Sequence, residues 1–179
     1  VKYGWITTVA QQPVRRRRSQ PPRAAVTVRP LQRQEIPALG RVLDEAGEAQ
    51  LRNRWHEQDL GYRELMGAEL DGELVGTVSI RHNATAESMH LFALEVATAR
   101  RGEGIGGAIV EWVIEEARRR DCTRVYLEVR TDNPARRLYH RLGFRRVGSA
   151  FVNTWWRFND NGTRDRVEEQ SLRMVKRLY

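Results

Sequence analysis

Arg101-Gly102-Glu103-Gly104-Ile105-Gly106-Gly107 is the stretch of this chain best suited to hold a ligand. Glycines let the backbone turn tightly and bring successive N–H groups toward one point with no Cβ in the way. A helix opening at Gly104 would add the positive end of its dipole there, and loop and helix together would cradle a diphosphate. Two carboxylates stand in runs that otherwise read as apolar strands: Glu95 in Leu91–Val96 and Glu128 in Arg124–Arg130. An unpaired carboxylate in such a place is costly, so each is a candidate for proton transfer, unless its side chain turns to the solvated face.

The elements that must position these residues follow from periodicity. A strand is expected near Ala25 to Arg29, then an amphipathic helix from about Gln34 with Ile36, Leu39, Val42, Leu43 and Ala46 on one face. A second, weakly signalled helical segment falls around Trp55 to Tyr62. Leu65–Leu70 and Leu74–Ile80 flank Asp71-Gly72, a tight-hairpin signal, and a third strand runs from Met89 to Val96. A basic, glycine-containing loop follows, then a helix from Gly104 to about Arg120 with Ile105, Ala108, Ile109, Trp112, Val113 and Ala117 as its buried stripe. Arg124–Arg130 is a strand. Asn133-Pro134 reads as a helix N-cap with proline at the first helical position, and Gly143 as the stop. The last thirty-odd residues read as two strands around Asn159 to Gly162.

Composition narrows the class. The 179 residues carry a net charge of +8, but residues 1–23 hold six basic side chains and no acidic one. That leaves 25 basic against 23 acidic, +2, in the other 156. Residues 1–23, with Arg15 to Arg18 in a row and Pro13, Pro21 and Pro22, read as an arm, and residues 24–179 as one folded domain. A solvated extension is the simpler reading of that arm, through which alone a nucleic-acid contact would form. No apolar run approaches the ~20 residues of a membrane helix, and no secretory pattern precedes the arginines, so the expected location is cytoplasmic. The single cysteine, Cys122, reads as a small buried hydrophobe. His56, His82, His90 and His140 lack ligand spacing, so no metal is expected.

Three kinds of cradle compete for the glycine loop. A P-loop needs lysine and a hydroxyl residue after its last glycine, where Ala108 and Ile109 stand here. Gly102, Gly104 and Gly107 also spell G-x-G-x-x-G, with Glu128 about twenty residues on. Against that reading, Ala97–Arg101 separates the strand from the first glycine, and no βαβ alternation follows. The third is R-x-x-G-x-G, formed by Arg101, Gly104 and Gly106. With Leu91–Val96 before it, and Leu127-Glu128-Val129-Arg130, Asn133, Leu138-Tyr139 and Leu142-Gly143-Phe144 after it, the chain resembles the GCN5-related N-acetyltransferase (GNAT) family. The resemblance covers residues 89–148 in motifs and 24–179 in element order.

The resemblance implies a mixed α/β fold. Its central twisted sheet would have six to seven mostly antiparallel strands, flanked by about four helices and splayed between the acceptor strand and the next, parallel strand. It implies acetyl-CoA as donor, with pantetheine paired to the backbone of Leu94, Glu95 and Val96. The amides of Gly102, Glu103, Gly104, Ile105, Gly106 and Gly107 would hold the diphosphate with Arg101 nearby, and a main-chain N–H around Val96 would polarise the acetyl carbonyl. Asn133 would contact the cofactor; only six positions separate it from Tyr139 where seven are usual, so Asp132 is the alternative. Tyr139 would be the acid at the sulfur and Glu128 or Glu95 the base. Trp55, Trp155 and Trp156, with His56 and Arg157, would border the acceptor, a small-molecule amine or a peptide N-terminus, in a monomer or homodimer. The competing functions are a non-catalytic acyl-CoA sensor and a nucleic-acid-associated protein acting through the arm.

Overall fold

In the computed structural model the described residues are 25–179, so every expectation about the basic arm lies outside them. Within these residues seven strands form one sheet in the order β1-β2-β3-β4-β5-β7-β6: β1 Thr27–Pro30, β2 Glu64–Leu70, β3 Glu73–Asn83, β4 Ser88–Val96, β5 Arg124–Arg130, β6 Arg145–Phe158 and β7 Arg164–Arg177. Every neighbouring pair is antiparallel except β4 and β5. Four α-helices accompany them: α1 Ile36–Gly40, α2 Glu48–Asp59, α3 Ile105–Arg119 and α4 Arg136–Arg141. The fold is the mixed sheet that the motifs imply.

The β4–β5 ladder is short. It runs from Ser88↔Arg124 to Leu91↔Leu127 and stops, although both strands continue. The next paired strand on the far side of β5 is β7, in register along the whole of β5. β5 is therefore held by β7 while β4 is held by β3, and the two part beyond Leu91. That parting is the splay expected between the acceptor strand and its parallel neighbour.

One face of the sheet packs on α3. Ile105, Ile109, Val113 and Ala117 are buried there as the periodicity predicts, but Val110 and Ile114 are buried in place of Ala108 and Trp112. The stripe is turned toward the following residues because α3 lies against both β3 and β4. Cys122 is buried in the same core. On the other face a second core gathers Leu31, Ile36, Leu39, Leu43, Ala46, Leu51 and Leu65. The single long helix expected from Gln34 is instead a 3-10 turn, Arg33–Glu35, and the five-residue α1, followed by a loop. Gly40 marks the break: a Cβ there would stand 2.8 Å from the Glu48 amide nitrogen, so the chain turns where α2 begins.

Candidate active site

The splay is built into β4 by a bulge. Thr77 faces Glu95 and Ser79 faces Phe92, so β4 has one residue more than β3 across this step. Ala93 absorbs the mismatch in the left-handed region, φ +51°, a position few non-glycine residues adopt. The extra residue puts Phe92 and Glu95, three apart, opposite the same face of β3, while Leu94 and Val96 turn to the α3 core. Gly76 allows the strands this close: a Cβ there would stand 2.7 Å from the Glu95 carbonyl oxygen.

At one end of the splay lies the glycine loop. Gly102 and Gly104 have φ of +85° and +86°, the conformation that requires glycine, and Gly104 is the N-cap of α3. The first helical bond is Ala108 N–H to the Gly104 carbonyl, 3.1 Å, so the amides of Ile105, Gly106 and Gly107 have no acceptor within the helix. A Cβ on Gly106 or Gly107 would meet only side-chain atoms at 3.6 Å or more, so the chain's own packing does not demand glycine there. Bare backbone at those positions suits close approach of a phosphorylated ligand, and the loop fits the diphosphate of coenzyme A. Arg101 sits at the mouth, with Nε donating to the Val96 carbonyl at 3.3 Å and Nη1 3.1 Å from Asp44. Glu103 is paired with Arg100 at the surface.

At the other end is a cavity of about 540 Å³. Leu91–Leu94 of β4 and Leu127–Arg130 of β5 form its sides. Tyr139 closes it from α4, Arg54 and Arg63 come from the α2 side, and Trp155, Trp156 and Arg157 from β6. The α2 side and the β6–β7 hairpin are tied together above it. Asp160 accepts the Ala49 N–H at 2.7 Å, capping α2 from the hairpin tip, and Gln50 accepts the Phe158 N–H at 2.7 Å.

The helix end fixes Tyr139. Gly143, φ +91°, terminates α4; the Phe144 N–H donates to the Tyr139 carbonyl at 3.0 Å and the Gly143 N–H to that of His140 at 3.1 Å. The Phe144 ring then meets Tyr139 edge-on, centroids 6.0 Å apart. Tyr139 is 6% exposed, and burial pushes its phenol up to about 12. Asn133 also borders the cavity, where its Oδ1 accepts the Ala135 N–H at 2.8 Å and leads the chain into α4. Asp132 points outward and pairs with Arg130 at 3.2 Å.

The two carboxylates have different fates. Glu128 borders the cavity and receives Arg173 Nη2 at 2.7 Å. Glu95 is buried and not among the cavity-lining residues. Its Oε1 accepts the amides of Glu45 at 2.6 Å and Ala46 at 3.2 Å, and its Oε2 lies 4.0 Å from Arg54 Nη1. Its side chain clamps the α1–α2 loop instead of standing free to take a proton. Glu95→Gln should therefore act mainly on folding. It removes the charge facing a buried guanidinium, an expected loss of about 3–5 kcal/mol in urea unfolding; unchanged stability would refute the clamp.

Trp55 corrects an expectation. It packs on the second core and, with His56, borders a small depression with Arg33 and Arg52, away from the cavity of Trp155 and Trp156. Since α2 turns Gln50 and Arg54 inward, Trp55, a rotation of about 100° beyond Arg54, faces another way. Arg54 and Arg63 are cavity-lining residues that the sequence reading missed, as are the polar Gln50, Asn53 and Glu57 of α2. Among the described residues, no group of three or more His, Cys, Asp and Glu side chains could hold a metal ion, and no helix is long and apolar enough to cross a membrane.

A family model described as acetyltransferase (GNAT) family matches residues 29–144, which include the glycine loop, Glu128 and Tyr139 but stop before the β6–β7 hairpin. Streptothricin acetyltransferase of Streptomyces lavendulae is 30% identical over 114 residues, 62% of this chain and 60% of that protein. The chain spans 33% to 60% of the length of the first relatives it matches. The ribosomal-protein-S18-alanine N-acetyltransferase of Escherichia coli superposes with a TM-score of 0.64 at 19% identity, over 86% of this chain and 94% of that one. The PaiA N-acetyltransferase of Thermoplasma acidophilum, in complex with coenzyme A, does so at 0.60 and 15% identity, over 86% and 99%.

Proposed function

Because the chain belongs to the acetyltransferase (GNAT) family, we propose that it transfers an acetyl group from acetyl-CoA to a primary amine by direct attack in a ternary complex. The observation that carries this is the splay: β4 and β5 part after Leu91↔Leu127, with a bare-amide cradle at one end and the cavity at the other. Beyond Leu91 the β5-facing edge of β4 has no strand to pair with, so Leu94, Glu95 and Val96 offer main-chain groups to an extended pantetheine arm. The amides from Gly102 to Gly107, with Arg101 and Asn133 at the margins, would seat the rest of coenzyme A.

The thioester supplies an activated acyl carbon. Around it the chain must remove a proton from the ammonium, stabilise charge on the acyl oxygen and assist the departing sulfur. The nitrogen–carbon bond forms as the carbon–sulfur bond breaks, and the ammonium gives up two protons: one leaves by way of Glu128 to solvent and the other ends on the departing sulfur. A main-chain N–H of β4 near Val96 donates to the oxygen. Tyr139, the buried phenol at the α4 wall, donates a hydrogen bond to the sulfur, and coenzyme A departs as its thiol with a proton that began on the amine.

Free-thiol release from acetyl-CoA across a panel of small amines and peptides with free N-termini tests the proposal. Amine-dependent release is expected; binding of coenzyme A without any release would identify a sensor instead. Glu128→Gln should lower kcat/KM by about 10²-fold at neutral pH, with the deficit narrowing as pH rises and the free amine becomes abundant. An equal deficit at every pH would remove Glu128 from the proton path.

A further inference from the structure

The acceptor side of the cavity contains a cation with too few partners. Arg54, on the inward face of α2, is 8% exposed, and its Nη1 is fully buried with no hydrogen-bond acceptor. Its ion-pair partner, Glu95 Oε2, stands at 4.0 Å, beyond hydrogen-bond reach, and the other oxygen of that carboxylate is taken by the α1–α2 loop. Nor is Arg54 alone. Among the described residues, five buried side-chain nitrogens lack a partner, and three of them, on Arg54, Arg63 and Arg157, belong to residues lining this one cavity. Buried and underpaired, the Arg54 guanidinium keeps a positive charge that an oxyanion in the cavity would offset.

We infer that the acceptor is a small amine that also carries a carboxylate, whose oxygens are bound by the buried guanidinium of Arg54. This rests on the acetyl-transfer reading and names its substrate class. Four arginines and four glutamates line the cavity, so its formal charge is balanced. A zwitterion, with its carboxylate at Arg54 and its ammonium toward Glu128, preserves that balance, whereas a dianionic phosphate or a simple amine upsets it. Burial already lowers the Arg54 guanidinium to about 10, and an anion against it would reverse that shift. Trp155 and Trp156, on β6 beyond the stretch matched by the family model, give the remainder of the molecule an aromatic wall. A protein N-terminus, whose α-carboxyl is an amide, leaves Arg54 unanswered and is disfavoured.

The first comparison uses the unaltered protein. Each common amino acid is compared with its C-terminal amide as acceptor, and O-phosphoethanolamine is added as a phosphate probe. The best acid should exceed its amide by about 30-fold or more in kcat/KM, the size expected for one charge-assisted contact. Arg54→Met should collapse that ratio, and Arg54→Lys should retain part of it, which separates anion binding from a general loss of fold. Amides acetylated as fast as acids, or a preference for the phosphate, would overturn the inference while acetyl transfer stands. A second arm titrates the CoA-saturated protein with N-acetyl amino acids and N-acetyl amino amides. Preferential binding of the acids with no thiol release from any amine would uphold the anion site and end the transfer reading. Equal binding of acids and amides would overturn the anion site, whatever the turnover.

Discussion

Tyr139→Phe should lower kcat by about 10²–10³-fold while the dissociation constant for coenzyme A stays within about threefold. The substitution removes one oxygen and leaves the ring, whose edge contact with Phe144 and place in the core are unchanged. Burial holds this phenol at about 12, so it keeps its proton throughout any ordinary assay range. The same shift limits what it can do. Complete transfer to a thiolate of ordinary pKa near 8.5 would run uphill by about 3–4 units, roughly 5 kcal/mol. Its role is therefore a hydrogen bond to sulfur as charge develops, with the amine's own proton balancing the reaction. A contact made only in the transition state acts on kcat and not on binding, and single-turnover kinetics beside calorimetry separates the two. Wild-type turnover in the phenylalanine variant would eliminate Tyr139 from the chemistry, and a parallel loss of coenzyme A affinity would make it a packing residue.

Legibility in the sequence tracks how local the cause of each feature is. The Asp71-Gly72 hairpin, the strand ahead of the glycine loop and the stop at Gly143 rest on residues adjacent to the feature they specify, and all appear where expected. α2 failed that test for a physical reason. Its buried residues are Gln50, Leu51 and Arg54, so the inward face of the helix is mostly polar and shows no apolar period. Full burial of Leu51 in the second core, worth about 2 kcal/mol, with Asp160 and Gln50 tying the helix to the hairpin, holds in place a helix that periodicity barely marks. The polar face is the cavity wall, so the feature that hid α2 is also what makes it functional. Glu95 shows the converse. An isolated carboxylate in an apolar strand signalled that something needed a negative charge, but its partners, the amides of Glu45 and Ala46, lie some fifty positions upstream. The bulge at Ala93, which turns Glu95 toward them, has no glycine to announce it.

Gly106→Glu should weaken coenzyme A binding by about 10³-fold and leave thermal stability within a few degrees of wild type. Glycine at this position is not required by the fold: an added Cβ would meet Leu138 at 3.6 Å and Val96 at 3.8 Å, ordinary contacts. A carboxylate in the first turn of α3 is favourable to the helix itself, because it faces the positive end of the dipole. The same position would set a negative charge against the diphosphate that the cradle is inferred to hold. At 4–5 Å and an effective dielectric near 20, two like charges repel by about 3–4 kcal/mol, or a factor near 10³. Stability and affinity should therefore part company in this variant. That separation distinguishes a ligand cradle from a structural turn, in which any damage at Gly106 would appear first in the melting temperature. Calorimetric titration with coenzyme A beside a thermal melt reads both quantities. Undiminished affinity would move the diphosphate away from α3, and a collapse in stability would mean that the glycine serves the fold.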